Sequence, residues 1–262
     1  MQVERRELEE LAGFALALAR RAGDITLKYF RQSVIVDSKA DGSFVTTADR
    51  EAEAFLRQMI SERYPNDGIL GEEEGEIQGS SGRRWIVDPI DGTFSFVHGV
   101  PFYGVLVGLE IDGEAVAGAV NFPALRDLVY AMKGLGCYFN GQLARVSTTP
   151  NIEQALLLAT DFGTCDEYGF AGAAAELQRR AKARRTWGDC YGHVLVATGR
   201  ADLMLDPVMN VWDCAALLPI VEEAGGTFTD WGGTPTINGG NAIATNGVLF
   251  DQVMSVVRGV PA

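Results

Sequence analysis

The 262-residue chain predicts an α+β fold in which two sheet layers interleave with helices, and three observations carry that prediction. The N-terminal region places Leu8, Leu11, Ala12, Phe14, Ala15, Leu18, Ala19 and Ala22 at helical spacing. From Tyr103 the runs YGVLVGLEI, AVAGAVN and DLVYAMK are rich in Val, Leu and Tyr, which fits strands. Beyond about residue 150 short strands and helices alternate, the pattern of a mixed α/β layer.

In chain order, a helix over residues 4–30 comes first, then the loop DSKADGSF. Thr46 or Thr47 caps a second helix that buries Ala52, Phe55, Leu56 and Ile60. DGILGEEEGE and RWIVDPIDG are short apolar strands that break into acidic residues. Asp112-Gly113 and Asn140-Gly141 are hairpin turns within a long antiparallel meander packed by the two helices. Then follow a helix within 168–183, a strand RRTW, a helix over 191–198, a strand ADLML, a helix over 213–224, strands GTFTD and NAIATN, and a last helix. No repeat or Pro/Ser/Gly-rich linker divides the chain. Residues 1–262 are therefore expected to form one compact unit, with a soft boundary near residue 150 between an N-terminal α+β layer (1–150) and a C-terminal α/β layer (151–262).

Charge narrows the function. A formal net charge of −13 disfavours nucleic-acid backbones and anionic membranes. Cys137, Cys165, Cys190 and Cys214 are scattered, with no CxxC pairing, which fits a reducing cytoplasm better than a disulfide framework or zinc site. The N-terminus MQVERRELEE is no signal peptide, and no apolar stretch approaches the roughly 20 residues of a membrane span. A soluble cytoplasmic protein is expected.

Acidic residues gather where strands end or helices begin: Asp49 in TTADRE, Glu72 to Glu74 in GEEE, Asp88 and Asp91 in DPIDGT, and Asp213 in VWDCAA. Carboxylates converging on one rim cannot all stay ionised without a neutralising partner. A hard divalent cation such as Mg²⁺, which prefers oxygen ligands, is the best one. Pro89 stiffens the turn, Gly92 permits close backbone approach to a ligand, and Thr93 sets a hydroxyl beside the acids to help deprotonate an attacking water. Asp49 is expected to orient that hydroxyl. Taken singly, each acid also reads as a surface charge or cap, Asp213 at the positive end of its helix above all.

WIVDPIDGT, the upstream ILGEE, and WDCAALLPIVEEAGG resemble the three motifs of the inositol monophosphatase family, and the likeness runs from the first helix to ATNG. The resemblance implies a layered αβαβα sandwich shared with fructose-bisphosphatases, two or three Mg²⁺ ions per site, lithium sensitivity, a homodimer, and in-line attack of water on a small phosphate ester. By motif, the metal ligands are Glu72, Asp88, the Ile90 carbonyl, Asp91 and Asp213. Glu72 and Thr93 serve catalysis with Asp49, and the substrate meets Asp91, Gly92, Thr93 and Asp213. Gly92 and Thr93 would offer amides to the phosphate at a helix start.

DGSFVTTADREAE and GDCYGHVLVATGRADLMLDP resemble the histidinol-phosphate phosphatase branch, which serves histidine biosynthesis. There Gly188, Asp189 and Cys190 replace a neutral Gly-Thr-Ala. Asp189 would pair with the amine or imidazole of histidinol phosphate, or else cap the helix near Tyr191. Asp206 stands where relatives use Glu to contact the alcohol. Two departures bear on specificity: Phe94 replaces a Thr or Lys, and Phe44 replaces a Pro. His193 reads as a core histidine, His98 as a residue near the mouth, and Trp212 as packing. L-Histidinol phosphate is the leading substrate. Inositol 1-phosphate or a broad set of sugar and nucleoside phosphates is the alternative. A bisphosphate substrate would need a second basic pocket, and the run Arg179, Arg180, Lys182, Arg184 and Arg185 reads as solvated surface. A catalytically silent scaffolding dimer is the remote alternative.

Overall fold

Two apolar periods, one helical and one alternating, sort the chain into five layers. The computed structural model describes residues 5–32, 36–38 and 44–259. The first half runs α1 (Arg5–Leu27), β1 (Val36–Ser38), β2 (Phe44–Thr46), α2 (Thr47–Arg63), β3 (Gly68–Gly71), β4 (Gly75–Ile77), β5 (Arg83–Asp91) and α3 (Thr93–Val97). It continues through β6 (Gly104–Ile111), β7 (Glu114–Phe122), β8 (Asp127–Met132), β9 (Gly136–Phe139) and β10 (Gln142–Leu143). After a 3₁₀ turn at Ile152–Gln154 come β11 (Leu156–Ala159), α4 (Phe162–Glu167), α5 (Ala171–Arg180), β12 (Ala183–Arg185) and α6 (Asp189–Ala197). The chain ends with β13 (Leu203–Asp206), α7 (Val211–Glu223), β14 (Thr227–Thr229), β15 (Ala242–Thr245) and α8 (Phe250–Gly259).

An eight-stranded sheet has the order β10-β9-β8-β7-β6-β5-β3-β4, antiparallel except for β3 beside β5. A five-stranded sheet, β12-β11-β13-β15-β14, mixes parallel and antiparallel pairs. Alternation along each strand assigns the faces. Trp85, Val87, Val105, Val107 and Leu109 pack under α1 and α2. Ile86, Leu106 and Val120 face the opposite way, onto α6 and α7, whose far side meets Met204, Phe228 and Ala244 of the smaller sheet. The other face of that sheet, Leu157, Leu203, Leu205 and Ile243, is covered by α5 and α8. This is the αβαβα sandwich expected from the motifs.

Asp112-Gly113 and Asn140-Gly141 all have positive φ, between 50° and 85°, as two-residue hairpins of this twist require. Three elements differ from the expected ones. β11 lies in the unbroken apolar run ALLLAT and is buried on both faces, so no alternation marks it. α4 is too short for a helical period to register. The expected strand RRTW contributes only Arg184 and Arg185, because β12 is a short edge strand. Of the loop DSKADGSF, residues 39–43 lie outside the described residues.

Candidate active site

β5 brings its two aspartates together through an irregularity in the sheet. In a regular strand residues three apart point to opposite faces. Asp88 pairs with Leu106 but Asp91 pairs with Gly104, so three steps along β5 oppose two along β6. This bulge, centred on Pro89 and Ile90, turns Asp91 back to the side of Asp88. Pro89 lacks the amide that regular pairing would use, and the Ile90 amide donates instead to Asp88 Oδ1 at 2.9 Å.

The third acid arrives from α7. Asp213 is the third residue of that helix, and its Oδ2 accepts from the Asn210 amide at 2.6 Å in a capping box. The helix start rides close over the large sheet because Gly108 and Gly118 lack side chains. A Cβ on Gly118 would lie 2.1 Å from the Ala216 carbonyl oxygen, and one on Gly108 would lie 2.7 Å from Ala215 Cβ. Carboxylate oxygens of Asp88, Asp91 and Asp213 consequently lie within 4.8 Å of one another.

Burial and mutual repulsion dominate the electrostatics. Desolvation, followed by the charges of Glu72, Asp91 and Asp213, holds Asp88 well above the usual carboxylate range. Desolvation first, then neighbouring acids, raises Asp91 and Asp213 to about 7. No lysine or arginine contributes to any of the three among the described residues. An all-oxygen donor set with surplus negative charge fits a hard divalent cation.

Asp49 is fully buried and held by its own helix cap: Thr46 donates to its Oδ2 through the amide at 2.8 Å and the hydroxyl at 2.6 Å. Its Oδ1 is buried without a partner, and burial raises its pKa to about 6. The expected pairing of Asp49 with Thr93 is not made. Thr93 opens α3 behind Gly92, and its hydroxyl donates to the Ile90 carbonyl at 2.9 Å. The capping geometry of α2 engages Asp49 Oδ2 locally, while the turn after β5 engages Thr93.

Glu72 sits half-buried in the turn between β3 and β4. Sequence reading missed what holds that turn. Glu53 of α2 is completely buried and accepts from Arg57 Nε at 2.8 Å and from the amides of Glu73 and Glu74 at 2.8 and 3.0 Å. Arg57 donates to the Gly75 carbonyl at 2.5 Å. The signal was present: both charges fall on the buried face of α2, in line with Leu56 and Ile60. Glu53→Gln leaves the buried Arg57 with only the more distant, exposed Glu74 carboxylate at 3.6 Å, an expected loss of about 3 kcal/mol. Calorimetry should record this as a fall of roughly 6–12 °C in melting temperature.

The second half closes the site. The Cys190 amide donates to Asp91 Oδ2 at 2.5 Å, joining the start of α6 to the end of β5, while the Cys190 thiol is buried. Asp189 is the first residue of α6 and Gly188 is its N-cap, so Asp189 is not the cap; its carboxylate accepts from Ser95 instead. Its φ of 51° lies in the left-handed region, which costs a non-glycine residue about 1 kcal/mol. That conformation aims the carboxylate at Gly92, where a Cβ would meet Asp189 Oδ2 at 2.9 Å. Gly92 itself has φ 83°, so glycine is required there on two counts. The Asp189 amide donates to Thr160 Oγ1 at 2.8 Å, and that hydroxyl donates to Asp206 Oδ1 at 2.7 Å. Asp206 Oδ2 in turn accepts from Nε2 of the fully buried His193 at 3.0 Å. Thr160, at the end of the unforeseen β11, links residues that sequence reading treated separately.

A hollow of about 230 Å³ is lined by Asp91, Thr160, Asp189, Cys190, Asp206 and Asp213, which brings most of the expected substrate contacts to one place. Arg179 and Arg180 pair on the surface with Glu176 and Glu153, as expected of a solvated run. Among the described residues no helix is long and apolar enough to cross a membrane.

Comparison with known proteins agrees with this arrangement. A model of the inositol monophosphatase family matches residues 7–261. The chain is 46% identical over 245 residues to a histidinol-phosphatase of Chlorobaculum parvum, covering 93% of this chain and 95% of that protein. It is 38% identical over 247 residues to a histidinol-phosphatase of Mycobacterium tuberculosis, covering 92% and 95% respectively. A solved inositol monophosphatase from Zymomonas mobilis matches with a TM-score of 0.85 at 33% identity, over 95% of this chain and 98% of that one. The chain belongs to the inositol monophosphatase family and is a phosphoric monoester hydrolase.

Proposed function

We propose that this enzyme hydrolyses L-histidinol phosphate to L-histidinol and phosphate with Mg²⁺, working in the cytoplasm as a homodimer. The observation that carries the substrate reading is Asp189, a carboxylate set in the left-handed region against Gly92 and facing the hollow that also contains Asp91 and Asp213. An alcohol bearing an amine and an imidazole supplies the cation such a group pairs with. High identity to two histidinol-phosphatases supports the same reading.

Glu72, Asp88, Asp91, Asp213 and the Ile90 carbonyl are the ligands for two or three Mg²⁺ ions. Once bound, Mg²⁺ neutralises the acidic cluster, stabilises charge on the phosphoryl oxygens and lowers the pKa of water. The protein's own groups then position the reaction. Amides of Gly92 and Thr93, at the start of α3, hold phosphate oxygens. Glu72 and the Thr93 hydroxyl orient the attacking water in line with the ester oxygen. Asp49 has a buried, unpartnered Oδ1 that would take the hydroxyl proton of Thr93 once that hydroxyl turns from the Ile90 carbonyl to the attacking water. The water oxygen bonds to phosphorus as the phosphorus–ester oxygen bond breaks; the water proton passes through Thr93 to Asp49, and the leaving alkoxide takes a proton from solvent water. Asp206, fixed by Thr160 and His193, contacts the leaving alcohol.

Phosphate release should favour L-histidinol phosphate over inositol 1-phosphate and a generic sugar phosphate. In Asp189→Ala that preference should fall by roughly tenfold or more, the worth of one charge-assisted contact. Equal or faster turnover of inositol 1-phosphate by the unaltered protein would reassign the substrate and demote Asp189 to a backbone role.

A further inference from the structure

Beside the acidic hollow lies a second cavity of about 550 Å³, and Asp189 lines both. Its walls are of two kinds. Phe94, His98, Val100 and Phe102 make an aromatic and apolar side, while Asp161 and Asp189 supply carboxylates. No lysine or arginine occurs among the described residues that line it.

The aromatic side is preorganised. Phe94 remains 67% exposed, yet its ring stacks on His98 with centroids 4.3 Å apart. His98 Nδ1 donates to the Phe94 carbonyl at 2.8 Å, which ties the C-cap of the short helix α3 to its second residue, just after Gly92 and Thr93. Phe102 is backed by Tyr191 of α6, with centroids 4.6 Å apart and planes within 5°. Two held aromatic groups and a valine next to a highly charged centre leave apolar surface for part of a ligand to cover. A polyhydroxylated alcohol would desolvate its hydroxyls against that wall without hydrogen-bond partners. A planar heteroaromatic ring covers it well, and an ammonium group on the same alcohol is complementary to the two carboxylates.

We infer that the Phe94–His98 stack and Phe102 form the subsite for a heteroaromatic ring on the leaving alcohol, with Asp161 and Asp189 receiving its ammonium group. This deepens the proposed function and rests on it. It also assigns a purpose to the departure at position 94: the phenyl ring selects a ring-bearing alcohol where a Thr or Lys would select a polar or anionic one.

The test uses the Mg²⁺-loaded enzyme and Phe94→Ala, together with L-histidinol phosphate and O-phosphoethanolamine, an amino-alcohol ester without a ring. The product alcohol L-histidinol is titrated separately by calorimetry. Phe94→Ala is expected to lose about tenfold more kcat/KM on L-histidinol phosphate than on O-phosphoethanolamine, mainly through KM, and to bind L-histidinol about tenfold more weakly. Because the Phe94 side chain is largely exposed, its melting temperature should stay near that of the unaltered protein. Equal losses on both esters with undiminished L-histidinol binding would overturn the subsite and leave the phosphatase reading standing. Failure of the unaltered protein to hydrolyse either ester would overturn the proposed substrate, and the L-histidinol titration, which needs no turnover, would still decide the subsite.

Discussion

Asp213→Asn is expected to lower phosphate release by at least about a thousandfold while raising the melting temperature of the metal-free protein. The two effects share one cause. Asparagine keeps the oxygen that accepts from the Asn210 amide, so the cap of α7 survives. What disappears is one negative charge from a cluster whose oxygens lie within 4.8 Å. With cation present, a ligand is lost and the phosphate is no longer held against a neutralised site. Without cation, the removed charge is one that burial and Glu72 had made unfavourable, raising Asp213 to about 7. A carboxyl raised from its ordinary 3.8 to about 7 costs the ionised protein about 4 kcal/mol, so the relief at pH 8 is at most about that much. Phosphate assays and calorimetry in chelator measure the two arms. Turnover within tenfold of the unaltered enzyme would sink the ligand assignment, and an unchanged melting temperature would sink the electrostatic account.

Metal-free protein should be more stable at pH 5 than at pH 8, losing at least roughly 10 °C in melting temperature between them. Burial raises Asp49 to about 6 and Asp91 and Asp213 to about 7, against 3.8 for the ordinary carboxyl. Between pH 4 and 7 the folded protein therefore binds more protons than the unfolded chain, so stability falls as pH rises through that window and levels off above it. Saturating Mg²⁺ should reverse the slope, because protons compete with the cation for the same oxygens. Phosphate release should accordingly climb with pH through about 7. Melting curves from pH 5 to 8, with chelator and with Mg²⁺, give the comparison, and Asp213→Asn should flatten the chelator curve. Parallel curves in the two conditions would show that these carboxylates are not where the cation binds.

Much of the site was legible in the chain because its signals are local. DPIDGT ends an apolar strand, VWDCAA opens a helix and TTAD caps one, and each can be read within a few residues. Other parts were not legible, for reasons visible in particular residues. Glu53 and Arg57 lie in line with the apolar face of α2, but what they hold, the turn at Glu72, comes from another part of the chain. Thr160 sits at the end of a strand that hides in an unbroken apolar run, so its hydrogen bonds to the Asp189 amide and Asp206 had no sequence signature. The Asp49–Thr93 pairing was inferred from chemistry alone, and the local cap of α2 engages Asp49 with Thr46 instead.

By itself, the sequence determined the family, the five-layer α+β fold, the hairpin turns and the set of acids at strand ends and helix starts. Each of these follows from periodicity or from motifs a few residues long. Tertiary structure alone decided which acids share a side, which of them are buried enough to hold their protons, and what lines the hollow beside them. The bulge after Asp88 turns Asp91 around, Gly118 lets α7 carry Asp213 in, and contacts spanning about a hundred residues, such as the Cys190 amide to Asp91, set Asp189 against Gly92. Proton affinity and specificity depend on the dielectric and on distances between atoms remote in the chain, and those exist only once the layers have packed.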